Sequence, residues 1–136
     1  MKTILSVLAI AALLVAGALW AGERRRDERF EAAILRDLKQ QHPQLTRIEA
    51  QLLRDGPTIT GIAVPKYYLW ARLFTKDRQF DAAAIRLADD AGAVHVLQII
   101  DREAIRRQPN ALRSIFPAVL VPKILALAED KSVPTP

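Results

Sequence analysis

Charge is absent from the start of the chain and returns all at once. Between Lys2 and Glu23 no residue is charged, and Ile4 to Trp20 is a predominantly apolar run that stops at Glu23-Arg24-Arg25-Arg26. About twenty residues at a helical rise of roughly 1.5 Å cover a ~30 Å hydrocarbon core, so the run is just long enough to span a membrane as a helix. Two fates fit it. A cleaved secretory signal would use the basic Met1-Lys2-Thr3 start and the small residues Ala16-Gly17-Ala18. A retained anchor would use the continuation through Leu19-Trp20, with Trp20 at the interface, and the length of the run favours this reading.

After the leader the pattern becomes amphipathic. Over Glu23 to Gln41 the residues Phe30, Ala33, Ile34 and Leu38 recur at spacings of three and four, which predicts a helix ended by Pro43. Its first turns, ERRRDER, carry no apolar stripe and read as a solvated link between membrane and domain. Beyond Pro43 the period drops to two. Thr46, Ile48, Ala50 and Leu52 alternate with polar neighbours and predict a half-buried strand. Asp55-Gly56 predicts a turn and Thr58 to Val64 a second, β-branched strand, giving a hairpin with Pro57 at a strand start or edge and Gly61 at a bulge.

Residues 65–75 fit either period: a helix aligns Tyr67, Trp70, Ala71 and Phe74, whereas a strand aligns Tyr68, Trp70 and Phe74 with Arg72 intruding. Asp77 to Ala91 reads as an alanine-rich helix capped by Asp77 and stopped by Gly92. A strand over Phe80 to Ala88, turning through Asp89 to Gly92, is its alternative. Ala93 to Ile100 is a strand whose apolar character calls for cover on both faces. Asp101 caps a short helix ended by Pro109, and Asn110 caps another that runs to Leu127 and kinks or restarts at Pro122. Its stretch from Phe116 to Ala128 is too short to span a bilayer and is expected to pack on the sheet; the alternative is that it docks, with the aromatics Tyr67, Tyr68 and Trp70, in a membrane protein complex of which the chain is a structural subunit.

The expected organisation is therefore a leader over residues 1–22, a juxtamembrane and first domain helix over 23–43, one α+β domain over 44–129 and a disordered tail over 130–136. An alternative arrangement of the same elements lays one long helix on a four- or five-stranded antiparallel meander, as in cystatin- and NTF2-like folds.

The order helix, strand, turn, strand, alanine-rich helix, strand resembles the BON domain, a small αββαβ module of bacterial envelope proteins. The residues that carry it are Ala32 to Leu38, Ile48 to Leu53 with Asp55-Gly56, Ile59-Thr60-Gly61, Ala83 to Ala88, and Gly92 to Val96, with residues 65–75 as an insertion. The resemblance implies a phospholipid- or envelope-binding module without enzymatic activity.

The net charge of +5 is spread over arginine-rich segments, and no basic stripe interleaved with aromatics points to nucleic acid. The chain has no cysteine, so it uses neither disulfides nor thiolate chemistry. His42 and His95 lie in separate elements without metal-ligand spacing, and no Gly-rich phosphate loop or GxSxG motif occurs. Neither enzymatic activity, a cofactor nor a small-molecule substrate is expected.

The expected partners are membrane lipid and an envelope protein. Arg24, Arg25, Arg26 and Arg29 are the candidate lipid contacts, because arginines next to a membrane segment attract anionic headgroups. Tyr67, Tyr68 and Trp70 are the candidate partner contacts, with packing in the domain core as their competing role. The expected location is a bacterial inner membrane, crossed once, with the domain on the periplasmic side. The arginine cluster argues for the cytoplasmic side, but long domains translocate largely regardless of flanking charge. A form secreted to the periplasm after leader cleavage and an anchored domain facing the cytoplasm are the alternatives.

Overall fold

A computed structural model describes residues 28–130. The leader, Arg24 to Arg26 and residues 131–136 of the tail lie outside the described residues. Within them the chain is α+β: helix α1 (residues 28–39), strands β1 (Arg47–Leu52), β2 (Lys66–Thr75), β3 (Arg78–Asp90) and β4 (Ala93–Asp101), helix α2 (Arg102–Arg107), two 3-10 helices (Pro109–Ser114 and Ala118–Leu120) and helix α3 (Val121–Ala128). The four strands form one antiparallel meander in the order β1-β2-β3-β4.

The sheet is covered on both faces, and this decides its composition. On one face Phe30, Ala33, Ile34 and Leu38 of α1 pack on Ile48, Ala50, Tyr67, Leu69, Ala71, Leu73, Ala83, Ile85 and Leu87. On the other, Ile105, Leu112, Phe116, Leu120, Ile124 and Ala128 pack on Tyr68, Trp70, Ala82 and Ala84. Fully burying a side chain such as Ile34 or Ile85 stabilises the fold by roughly 1.5–3 kcal/mol. Over most of their length the middle strands therefore bury both sides, and alternation is weak in β2 and β3, with Arg72 exposed in the part the C-terminal layer does not reach. It survives in β1, where Ile48 and Ala50 are buried but Arg47 and Gln51 face water.

Two expectations fail here. Residues 77–91 are not a helix. Residues 78–90 form the longest strand, pairing Leu69 with Ile85 and Trp70 with Ala84 on one side and Ile85 with Ile99 on the other. Alanine favours a helix by intrinsic propensity, but Ala82, Ala83 and Ala84 are all fully buried between two helical layers. There a small side chain lets both layers approach, and tertiary packing overrides propensity. Asp77 accordingly lies in the two-residue β2–β3 turn rather than at a helix cap.

Thr58 to Val64 is not a strand either. Only Thr58 bridges to Lys66, and the rest is a loop flanked by Pro57 and Pro65, neither of which has an amide hydrogen to donate to a ladder. The hairpin partner of β1 is instead β2, across this loop. Of residues 65–75, all but Pro65 form strand β2, with Arg72 exposed opposite Glu49.

The C-terminal layer keeps its expected helical character with shifted boundaries. Asp101 caps α2 by accepting from the Ala104 amide at 2.8 Å. Asn110 lies inside a 3-10 helix rather than capping an α-helix, and Pro122 sits in the first turn of α3, where its missing amide hydrogen is harmless. The two edge strands each receive a bond from α1: the Glu31 carboxylate accepts from the Ala50 amide of β1 at 2.9 Å, and the Arg36 guanidinium donates to the Val94 carbonyl of β4 at 3.3 Å. Occupying edge groups in this way blunts pairing with other strands.

Candidate functional site

The strand directions divide the domain into two ends. The start of α1, the end of β1, the start of β2 and the β3–β4 turn meet at one end; the β2–β3 turn and the start of α2 lie at the other. The described chain begins at the first end. There the Arg29 guanidinium bonds the Asp89 carboxylate at 2.5 Å, and the Phe30 ring lies 4.8 Å from that of Tyr67. Asp89 also accepts from the Gly92 amide at 2.9 Å and donates its own amide to the Pro65 carbonyl at 3.1 Å. One residue thus ties together α1, the β3–β4 turn and the loop after β1.

That loop, residues 53–65, has a firmly held base. Thr58 and Lys66 exchange backbone bonds of 2.9 and 3.0 Å, the Thr58 hydroxyl bonds that of Tyr68 at 2.9 Å, and the Lys66 ammonium donates to the Val64 carbonyl at 2.6 Å. Its tip is a turn closed by the Ala63 amide donating to the Thr60 carbonyl at 3.0 Å, with Gly61 at φ +59°. Ile62 at this tip is fully exposed and Ile59 is 60% exposed. Reading residues 58–64 as a strand hides this feature. Two prolines bracketing a glycine were the signal for a presented turn.

Of the residues singled out from the sequence, Arg24, Arg25 and Arg26 lie outside the described residues. Arg29 is half-exposed, paired with Asp89 and placed over the Phe30 ring at 5.0 Å, so it braces the start of α1. Tyr67, Tyr68 and Trp70 are only 6, 5 and 4% exposed, the core packing named as the competing role to partner contact. They do not converge on one surface. Tyr67 packs against α1 while Tyr68 and Trp70 point into the opposite layer, where the Tyr68 ring lies 5.8 Å from Phe116. The expected packing of the C-terminal apolar segment is what the structure has: Phe116, Leu120, Val121 and Ile124 are buried against the sheet. His95 faces solvent on β4.

Two polar groupings lie elsewhere. At the far end, Asp81 is held above the ordinary carboxylate value of 3.8, first by burial and secondarily by the Asp101 charge. The Ala82 amide, donating to it at 2.8 Å, and the charges of Arg102 and His42 act against that rise. On the open part of the sheet, Glu49 pairs with both Arg47 and Arg72, and their guanidinium carbons lie 4.1 and 5.8 Å from the centre of the Phe74 ring. These cations shield an aromatic that the C-terminal layer does not reach. Arg86, opposite Tyr68, donates to Gln98 at 3.0 Å while its Nε is buried without a hydrogen-bond partner. Among the described residues no group of His, Cys, Asp and Glu is placed to hold a metal ion, and no helix is long and apolar enough to cross a membrane.

No family model, curated protein or solved structure matches this chain.

Proposed function

We propose that this is a membrane-tethered domain that binds, rather than transforms, a phospholipid surface or another component of a bacterial envelope. The observation that carries the reading is the uncharged stretch from Thr3 to Gly22, which leads within a few residues into α1. A run of that length and composition is poorly accommodated by water and matches a bilayer's apolar thickness. The three arginines that follow suit an anionic headgroup layer, with Glu23, Asp27 and Glu28 moderating the field. A single-pass inner-membrane placement with the domain in the periplasm accords with the absence of any thiol.

The fold is α+β, a four-stranded antiparallel meander with helices on both faces, and a cystatin- or NTF2-like arrangement is the finer reading we propose for it. The functional reading rests on the leader and not on the BON-like resemblance. Flotation of the full chain with phosphatidylcholine vesicles on a density gradient at high salt tests it. The chain rises with the lipid if the leader inserts, and protein remaining at the bottom of the gradient overturns the proposal.

A further inference from the structure

We infer that the Ile59–Ile62 tip is a membrane-contacting wedge, seated in the lipid interface beside the tether; this rests on the proposed tethering. The leader joins the domain at the start of α1, and Arg29, Asp89 and Pro65 link that start to the loop in two bonded steps of 2.5 and 3.1 Å. A membrane segment placed before residue 28 therefore holds this end of the sheet, rather than the β2–β3 turn, nearest the lipid.

The loop is built to present its tip. Bonds at Thr58, Val64, Pro65 and Lys66 fix its base, and the Thr60–Ala63 turn projects Ile62 away from the domain. An apolar side chain held by a rigid turn loses little freedom on burial, so more of its transfer free energy is kept as binding. Arg54 and Asp55 lie side by side in the loop and the Lys66 ammonium is committed to the Val64 carbonyl, so the contact rests on the apolar tip, and such groups pass about 5–10 Å into the acyl boundary. So small an apolar contact gives only weak binding alone. Beside a tether it acts at high local concentration, where weak contacts suffice to orient a domain.

The natural chain has no cysteine, so single cysteines can be placed cleanly for an environment-sensitive label. Full-length Ile62→Cys, Ile59→Cys and, as reference at the opposite end, Asp77→Cys are labelled and reconstituted in phosphatidylcholine–phosphatidylglycerol vesicles carrying nitroxide lipids. Labels at 62 and 59 are quenched at least about threefold more than at 77 if the tip lies in the interface. Equal, weak quenching at all three positions in protein that floats with the vesicles overturns the wedge and leaves the tether standing. Stronger quenching at 77 also overturns it, by placing the other end on the lipid. Protein that fails to float removes the tether, and the wedge with it.

Discussion

Arg29 and Asp89 stand sixty residues apart in sequence, yet the guanidinium of one meets the carboxylate of the other at 2.5 Å. The pair fastens the first turns of α1 to the β3–β4 turn, where the Asp89 side chain is only 14% exposed. The two partners differ in what else they hold. Removing Arg29 breaks one part-exposed ion pair and costs about 1 kcal/mol or less. Asp89→Ala also strips the acceptor from the Gly92 amide and costs roughly 1–3 kcal/mol. Urea denaturation of both single variants and the double variant checks the order and isolates the coupling.

The β3–β4 turn provides a test of opposite signs. Ala91 at φ 51° and Gly92 at φ 98° are both left-handed, as a two-residue hairpin turn with the favoured twist requires. Ala91→Asn installs a residue that tolerates this region and stabilises by roughly 0.5 kcal/mol, while Gly92→Ala destabilises by about 1 kcal/mol or more. Thermal unfolding reads both; a destabilised Ala91→Asn would show that the turn is formed differently.

The alanines of β3 are a consequence of double cover. Ala83 is fully buried beneath α1, so Ala83→Leu forces the layers apart and costs about 1–3 kcal/mol or more. Ala32 is exposed on α1, and Ala32→Leu stays within about 0.5 kcal/mol of the parent. Were residues 78–90 a surface helix, both substitutions would be mild.

How much of this was legible depended on how many faces each element buries. The α1 stripe of Phe30, Ala33, Ile34 and Leu38 stood out because the opposite side of that helix is wet, and β1 alternated because Arg47 and Gln51 face solvent. β2 was ambiguous because Tyr67, Leu69 and Ala71 are buried on one side while Tyr68 and Trp70 are buried on the other. In β3 the alanines that permit two-sided packing are also the best helix formers, so local preference and tertiary role point in opposite directions. Ile59 and Ile62 read as strand residues because β-branched side chains ordinarily signal a strand. Pro57, Gly61 and Pro65 are the local features that set this run on a turn instead of in a ladder.

Asp81 predicts a specific pH dependence. Its carboxyl is held above 3.8 chiefly by burial, so the folded state binds its proton more tightly than the unfolded chain does. Stability from this group is therefore present at acid pH and falls as pH rises from that value through the raised one. Asp81→Asn keeps an oxygen for the Ala82 amide and removes the charge. It raises the melting temperature at pH 7, and the gain shrinks as both proteins are brought to about pH 3. An equal difference at the two pH values would mean that the carboxylate is not penalised by its site.

The most direct test of the central claim is alkaline extraction of membranes from cells expressing the full chain. If the uncharged leader is a retained bilayer segment, the protein stays in the membrane pellet after carbonate treatment and is released only by detergent. Recovery of the full-length chain in the carbonate supernatant, with residues 1–22 still attached, would contradict the account.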